Sequence, residues 1–144
     1  MIRAYAVREP GGRFEVVEYD PGPMKSDDVE IRVEHCGLCH SDLSLMEDEW
    51  GITKFPLIPG HEVVGRVDAL GPNTSLHETG ARVGVGWIYD ACGHCRYCRE
   101  GRENLCEEFQ GTGRDHDGGY AEYMVVPEES ACPIPETFTD AEAA

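Results

Sequence analysis

Residues 92–106 read CGHCRYCREGRENLC and place the strongest constraint on how this chain folds. The spacing is Cys92-x2-Cys95-x2-Cys98-x7-Cys106, so four thiols fall within one short stretch. Gaps of two residues let neighbouring thiolates converge on one centre, and the longer gap brings the last one around to close a tetrahedron. A shell of four thiolates leaves no place for water or substrate, which is typical of a structural zinc site. The stretch therefore predicts a lobe that is held in shape by zinc.

Iron–sulfur clusters and disulfides are the alternatives for these cysteines. In bacterial ferredoxins, two short gaps between cysteines are succeeded by a three-residue gap and a Cys-Pro pair. Here the last gap is seven residues long, and Cys106 is followed by Glu107. Disulfides explain the array poorly, because the number of cysteines is odd and residues 1–12 show neither a secretory signal nor a membrane span. A cytoplasmic location is expected on the same grounds. His94 lies inside the array and could compete as a ligand, but with four cysteines at hand an exposed loop position is the commoner case.

The excess of acidic over basic side chains argues against two classes of binding partner. The chain has 28 acidic and 12 basic side chains and a net charge of −16. Nucleic acids and anionic membranes favour basic surfaces, so neither is expected as a partner. The only lysines are Lys25 and Lys54. An acidic, lysine-poor surface is one way to stay soluble at high salt, so a salt-loving source is one hypothesis and an ordinary acidic cytosolic protein is the other.

The remaining sequence has the pattern of a mainly β fold. Glycine and proline interrupt the chain often, and the segments between them are short. In VEIRVEHC (29–36) the apolar Val29, Ile31 and Val33 alternate with charged residues, as in a half-buried strand. Five further segments read as strands: 2–7, 14–19, 63–70, 81–87 and 120–126. The pattern favours a partly open β-barrel with short helices over a helical bundle.

Two stretches read as short helices. SDLSLMEDEW (41–50) is the better one, with Ser41 or Asp42 as its N-cap. Its apolar contacts are expected from Leu43, Leu45 and Met46. The last residues, PIPETFTDAEAA (133–144), read as the start of a second helix capped by Thr139 or Asp140. The sequence stops inside that helix, which suggests a piece of something longer.

A second constellation lies in CGLCHSD (36–42) and GHE (60–62). Cys39 is expected at the N-terminus of the first helix, where a thiolate is favoured. Ser41 beside it offers a hydroxyl that can pass a proton, and Asp42 offers a carboxylate that can orient a ligating imidazole. His61 and Glu62 supply an imidazole and a second carboxylate. Each motif alone is weak, since paired cysteines and a turn histidine are often structural, but the combination indicates an open metal site.

With these motifs the chain resembles the N-terminal catalytic domain of the zinc-dependent medium-chain alcohol dehydrogenases, a domain that is related to the GroES fold. The resemblance covers nearly the whole chain. Its motifs appear in the family's order: CGLCHSD, PLIPGHEVVGRV, GARVGVGW, the four-cysteine lobe and DGGYAEY. It implies one GroES-like domain over residues 1–144, a structural-zinc lobe at about 88–112, and no Rossmann domain within this sequence.

The resemblance also implies roles for individual residues. Cys39 and His61 would bind the catalytic zinc, with Glu62 near it as a transient ligand. Asp42 would hydrogen-bond His61, and Ser41 would take the proton of the substrate hydroxyl. His40 would contact the coenzyme pyrophosphate, and Trp50 and Trp87 would line the substrate pocket. The structural zinc would be bound by Cys92, Cys95, Cys98 and Cys106. Ordinary core packing is the alternative for both tryptophans.

The sequence departs from the family pattern at several points. The family's third protein ligand to the catalytic zinc and its GxGxxG nucleotide turn are both missing. Three residues are weak substitutes for that ligand: Cys36, His116 and Cys132. Many family members carry a histidine where this chain has Ser44. That histidine completes the path by which the proton reaches solvent, so the last member of this path is not identified here.

Two functions are consistent with the sequence, one enzymatic and one non-catalytic. In the first, the chain is the catalytic-domain portion of a zinc-dependent NAD(P) alcohol dehydrogenase, acting on small alcohols or aldehydes and inactive alone. Its partner would be a separate Rossmann chain or a second copy. In the second, it is a zinc-stabilised binding or scaffold module without catalysis. The intact set of Cys39, Ser41, Asp42, His61 and Glu62 favours the first, because a scaffold needs none of them.

Overall fold

The computed structural model describes residues 1–144. Nine strands follow one another: β1 (Ile2–Ala6), β2 (Glu15–Tyr19), β3 (Asp28–Cys36), β4 (Val63–Leu70), β5 (Arg82–Val85), β6 (Ile88–Asp90), β7 (Gln110–Gly111), β8 (Tyr123–Pro127) and β9 (Ala131–Pro133). The helices are α1 (His40–Met46), α2 (Arg96–Arg99) and α3 (Asp140–Ala143), with 3-10 turns at Glu103–Leu105 and Glu128–Ser130. None of these helices has the length and apolar character needed to cross a lipid bilayer.

The main sheet is antiparallel and has five strands in the order β8-β3-β4-β5-β9. β1 and β2 form a separate hairpin, which joins the segment before β8 through the Ala4–Ala121 bridge. β6 and β7 pair with each other and lead into and out of the cysteine-rich stretch. The sheet curls into a half-barrel, so the prediction of a mainly β, partly open barrel is confirmed.

The core follows the alternation seen in the sequence. Val29 and Ile31 on β3 are fully buried, Val33 packs partly against them, and Arg32 between them is exposed. Side chains from the other strands complete the cluster: Val63, Val67, Val83, Val85, Tyr89, Met124, Val126 and Ala131. Because β6 contributes Tyr89 to this cluster, the cysteine-rich stretch is anchored directly on the sheet.

α3 is fixed to the sheet by a buried arginine. Nε of Arg82, on β5, donates to Oδ1 of Asp140 at 2.6 Å. A second guanidinium nitrogen of Arg82 donates to the carbonyl oxygen of Pro135 at 3.1 Å. Thr139 is the N-cap, and its hydroxyl accepts a hydrogen bond from the backbone N–H of Glu142 at 3.3 Å. Thr139 was one of the two residues predicted to cap this helix. The helix directs the chain back towards Gly37, where an added methyl group would lie 3.2 Å from the carbonyl carbon of Ala144.

The predictions for α1 were wrong in two respects. The N-cap is Cys39, because its backbone N–H donates to Asp42 at 3.0 Å from the third helical position. The helix also ends after Met46 rather than at residue 50. Thr53 ends it by donating from its hydroxyl to the Leu45 carbonyl oxygen at 2.8 Å. Leu45 is buried as predicted, whereas Leu43 is 46% exposed.

Tyr89 gives a prediction for alkaline conditions. Burial, followed by the charges of Asp28, Asp90 and Asp117, raises the pKa of Tyr89 to about 12. A tyrosine in the unfolded chain ionises near pH 10. The folded state therefore keeps its proton longer, so this contribution to stability is complete below pH 10 and disappears as the pH rises towards 12.

We expect Tyr89→Phe to make the free energy of unfolding fall less steeply between pH 10 and 12. Urea unfolding at several pH values measures this slope. Tyr5→Phe is the matched control, because the Tyr5 side chain is 56% exposed. Equal slopes for wild type and Tyr89→Phe would contradict the assignment.

Candidate metal centres

The four cysteines of residues 92–106 converge in space. The sulfur atoms of Cys92, Cys95, Cys98 and Cys106 all lie within 4.8 Å of one another, and none forms a disulfide. The Cys95–Cys98 and Cys92–Cys98 sulfur pairs are 3.5 and 3.9 Å apart. Four sulfurs at about 2.3 Å from a central zinc would be about 3.8 Å apart in a tetrahedron. The observed separations therefore fit a zinc ion bound by all four thiolates.

Backbone amides surround these sulfurs. The N–H of Cys95 donates to the sulfur of Cys92 at 3.3 Å, and that of Cys98 donates to Cys95 at 3.5 Å at the start of α2. The Cys106 sulfur accepts from the N–H of Cys92 at 3.5 Å. Donation from the amides of His94 and Cys95 lowers the pKa of Cys92 to about 6. These amides favour the thiolate of Cys92, the form of cysteine that binds metal. Burial and the neighbouring Cys95 thiol instead raise the pKa of Cys98 to about 12, so its proton leaves when a cation binds.

A second group of donors lies beside α1. The ligand atoms of Cys39, His61 and Glu62 all lie within 4.8 Å of one another. Cys39 caps α1, and the two other residues immediately precede β4. Gly60 turns the chain with φ of +101°, and a side chain there would collide with Tyr120 and Cys36. Only glycine suits this position, which is why the histidine follows a Pro-Gly turn.

Asp42 holds the second group together. Its side chain is 4% exposed, and Oδ1 accepts from the N–H of Gly60 at 3.0 Å. Oδ2 accepts from the N–H of Cys39 at 3.0 Å. Nδ1 of His61 lies 3.2 Å from Oδ1, at an oblique angle rather than in line. Asp42 therefore connects the helix that carries the thiol with the turn that carries the imidazole.

The charges of this group reinforce one another. Burial alone would raise the pKa of Asp42, but the nearby imidazole of His61 and the hydrogen bond from the amide of Cys39 hold it below its usual value. Burial alone would likewise lower the pKa of His61, yet Asp42 and Cys39 raise it. The pKa of Cys39 is lowered, first by the Ser41 hydroxyl, 3.5 Å from the sulfur, and then by the Ser41 amide and by His61. Cys39 is therefore poised to be a thiolate.

The donor set of this group fits a catalytic zinc. One sulfur, one nitrogen and one carboxylate oxygen are three protein ligands, which leave the fourth tetrahedral position open for water or substrate. Since Nδ1 of His61 faces Asp42, the other ring nitrogen remains for a metal. This arrangement, a carboxylate behind a ligating histidine, is common at zinc sites.

The weak substitutes for a further ligand lie apart from this group. Cys36 packs beside Gly60 and Gly119, and burial raises its pKa to about 12. His116 stacks on Tyr89 with ring centroids 3.7 Å apart. Cys132 is exposed on β9. The nearest candidate for a third ligand within the chain is therefore Glu62.

The remaining predicted residues occupy different positions. Trp87 lies edge-on to His61, with ring centroids 4.8 Å apart and planes at 77°, so it borders the second group. His40 is exposed at the first position of α1, and Trp50 is 47% exposed in the turns after that helix. Their roles stay predictions. Ser44 is buried, and its hydroxyl donates to Glu49 at 2.7 Å.

Tyr120 is a residue that sequence reasoning missed. Its hydroxyl donates to Oδ2 of Asp42 at 3.1 Å and lies 3.4 Å from the carbonyl oxygen of Gly37. In the sequence it appears only as part of the DGGYAEY motif, and 78 positions separate it from Asp42. No local pattern links the two residues, so only the fold brings them together.

We expect Tyr120→Phe to weaken metal binding at the second group by about tenfold, the size of effect that loss of such a supporting contact has. The variant removes one hydrogen bond to Asp42 and leaves the ring in place. Titration with Co²⁺, followed through its absorption bands, measures the affinity of each group separately. Tyr123→Phe is the control. An unchanged affinity for Tyr120→Phe would show that the hydroxyl does not support the site.

Comparison with known proteins identifies relatives of this arrangement. Residues 25–136 match the family described as the alcohol dehydrogenase GroES-like domain. Aldehyde reductase AdhA of Synechocystis sp. is 43% identical over 136 residues, which cover 94% of this chain and 40% of that protein. The chain thus spans about 40% of the length of this curated relative.

Solved structures give the same result. The crystal structure of CAD from Helicobacter pylori complexed with NADP(H) superposes with a TM-score of 0.94 at 26% identity, covering 99% of this chain and 44% of that one. A cobalt- and zinc-bound thermostable alcohol dehydrogenase from Pyrobaculum aerophilum superposes with a TM-score of 0.87 at 32% identity, covering 99% and 43%.

Proposed function

The chain belongs to the alcohol dehydrogenase GroES-like domain family, and from that premise we propose that it is the zinc-binding catalytic portion of an NAD(P)-dependent alcohol dehydrogenase. The observation that supports this most directly is the group of Cys39, His61 and Glu62 behind which Asp42 is buried. A scaffold module would need neither the open ligand set nor the buried carboxylate. We therefore place the scaffold function second.

In this proposal Cys39, His61 and Glu62 hold a catalytic zinc, and Asp42 fixes the orientation of the imidazole. A zinc ion in this position supplies Lewis acidity that lets a bound alcohol lose its proton near neutral pH. The Ser41 hydroxyl, beside the Cys39 sulfur, would accept that proton and pass its own proton on towards solvent. Trp87 forms one wall beside His61 and restricts the pocket to small or flat alcohols and aldehydes.

The four thiolates of Cys92, Cys95, Cys98 and Cys106 hold a second, structural zinc in the lobe at about residues 88–112. The coenzyme is NAD or NADP, with the exposed His40 contacting its pyrophosphate and Trp50 lining the substrate pocket. The nucleotide-binding part comes from sequence outside residues 1–144 or from another chain, and a second copy is a further candidate for covering the exposed side chains of Leu38 and Ile52. A cytoplasmic location belongs to the same proposal.

A chimera tests the catalytic proposal. The matching portion of the Synechocystis aldehyde reductase is replaced by this chain, and aldehyde reduction with NADPH or NADH is followed by absorbance. We expect turnover that is lost in Cys39→Ser and His61→Ala and kept in Cys132→Ser, whose exposed thiol lies outside both cysteine groups. The unmodified 144-residue chain is expected to show no turnover.

Measuring the zinc content of the chimera distinguishes a chimera that has not folded from a catalytic proposal that is wrong. A folded chimera that binds two zinc ions and reduces no aldehyde or ketone would contradict the catalytic role. Turnover that survives in Cys39→Ser and His61→Ala would contradict the assignment of the zinc ligands.

We also propose that the chain is adapted to high salt. Its 28 acidic side chains repel one another, and salt shortens the reach of that repulsion from about 10 Å at 0.1 M to about 3 Å at 1 M. We expect the free energy of unfolding to rise between 0.1 and 2 M KCl, as measured by urea unfolding. A flat or falling dependence would favour an ordinary acidic protein.

A further inference from the structure

A third group of metal ligands lies on the outside of the cysteine lobe. The ligand atoms of Cys92, His94 and Glu108 are all within 4.8 Å of one another. His94 and Glu108 are exposed, whereas Cys92 is half-buried and Cys106 is buried. The group therefore faces water on one side and the four-sulfur centre on the other.

Cys92 belongs to both groups. A single sulfur can stay bound to an ion while the other ligands are exchanged around it. Nδ1 of His94 must donate its hydrogen to the carbonyl oxygen of Cys92, 2.7 Å away, because that oxygen only accepts. This contact holds the ring against Cys92 and leaves the other ring nitrogen as the atom that binds a cation.

One of the four thiols is harder to reach from water than the outer group. Cys106 is 6% exposed and the other three cysteines are half-buried, whereas His94 and Glu108 are exposed. A cation arriving from water meets His94 and Glu108 first. One nitrogen, one sulfur and one carboxylate oxygen are a suitable ligand set for Zn²⁺ and leave a position for the next incoming thiolate.

From these contacts we propose that Cys92, His94 and Glu108 form an entry and exit site through which a divalent zinc ion reaches and leaves the four-cysteine centre. The ion binds first to these three residues. Cys95, Cys98 and Cys106 then replace His94 and Glu108 one at a time, while Cys92 remains bound. Each incoming thiol gives its proton to water, and no electron transfer takes place.

The proposal predicts an effect on rates without an effect on equilibrium. We expect the double variant His94→Ala, Glu108→Gln to release zinc to a chromogenic chelator about tenfold more slowly, and to take up Co²⁺ more slowly by the same factor, because a barrier raised by about 1.4 kcal/mol slows both directions about tenfold. The affinity at equilibrium and the four-thiolate Co²⁺ spectrum stay as in wild type. Arg99→Ala, Glu107→Gln is the matched control, because both residues are exposed neighbours outside the group.

Rapid mixing of the wild-type chain with Co²⁺ gives an independent test. We expect a transient spectrum with weak thiolate bands before the strong four-thiolate bands develop. Three results would overturn the proposal: equal rates in the double variant and wild type, equal slowing in the Glu107 control, or a parallel loss of equilibrium affinity. The last result would place His94 or Glu108 in the final centre instead.

Discussion

Cys106→Ser is expected to abolish tight zinc binding in the lobe and to lower the free energy of unfolding of the whole chain. In small zinc-dependent domains the ion contributes about 10–16 kcal/mol of apparent binding free energy, and that energy is folding energy. Cys106 is the most buried of the four ligands, and a serine there binds zinc poorly and leaves a buried hydroxyl. Because Tyr89 connects the lobe to the main core, the loss is not confined to the loop.

Metal analysis and urea unfolding measure this effect. We expect the variant to lose its tightly bound zinc and several kcal/mol of stability, as removal of a structural metal does. Cys132→Ser is the matched control, since that thiol is exposed and lies in neither metal group. A Cys106→Ser chain that keeps a tightly bound zinc and wild-type stability would refute the four-thiolate centre.

Asp42→Asn is expected to disrupt the second group while leaving the lobe intact. Gly60 and His61 approach one oxygen of Asp42, and Cys39 and Tyr120 approach the other. In either orientation an asparagine turns its NH₂ group towards two donors. Each buried donor left without an acceptor costs about 1–3 kcal/mol.

We expect Asp42→Asn to reduce metal affinity at the second group by about 10–100-fold, because the imidazole loses its orientation. Co²⁺ titration measures this, and the four-thiolate bands of the lobe serve as an internal reference. Ser44→Ala is the matched control, since it removes a partly buried hydrogen bond from the same helix without touching the ligands. Equal affinities for Asp42→Asn and Ser44→Ala would remove Asp42 from the site.

The local patterns explain why much of the fold could be predicted. β4 begins and ends at the predicted residues, because its three valines are buried and turn residues flank the segment on both sides. β3 follows the alternation of Val29 and Ile31. The convergence of the four cysteines also follows from spacing alone, since all of them lie within one loop.

The misses arise where contacts distant in sequence decide the result. α1 stops early because Asp48 adopts a positive φ of 52° and Thr53 reaches back to the helix. The contact of Tyr120 with Asp42 and that of Arg82 with Asp140 span 78 and 58 positions. No periodicity or motif in a single sequence encodes these pairs, so the contact of Tyr120 with the predicted Asp42 became visible only in the folded chain.

X-ray absorption at the zinc edge tests the central claim most directly, namely that the chain holds two metal centres of different chemistry. With one equivalent of zinc, we predict a first shell of four sulfurs at about 2.3 Å and no nitrogen or oxygen. With a second equivalent, nitrogen and oxygen scatterers at about 2.0–2.1 Å are expected to appear. Nitrogen or oxygen in the shell of the first equivalent would contradict the account.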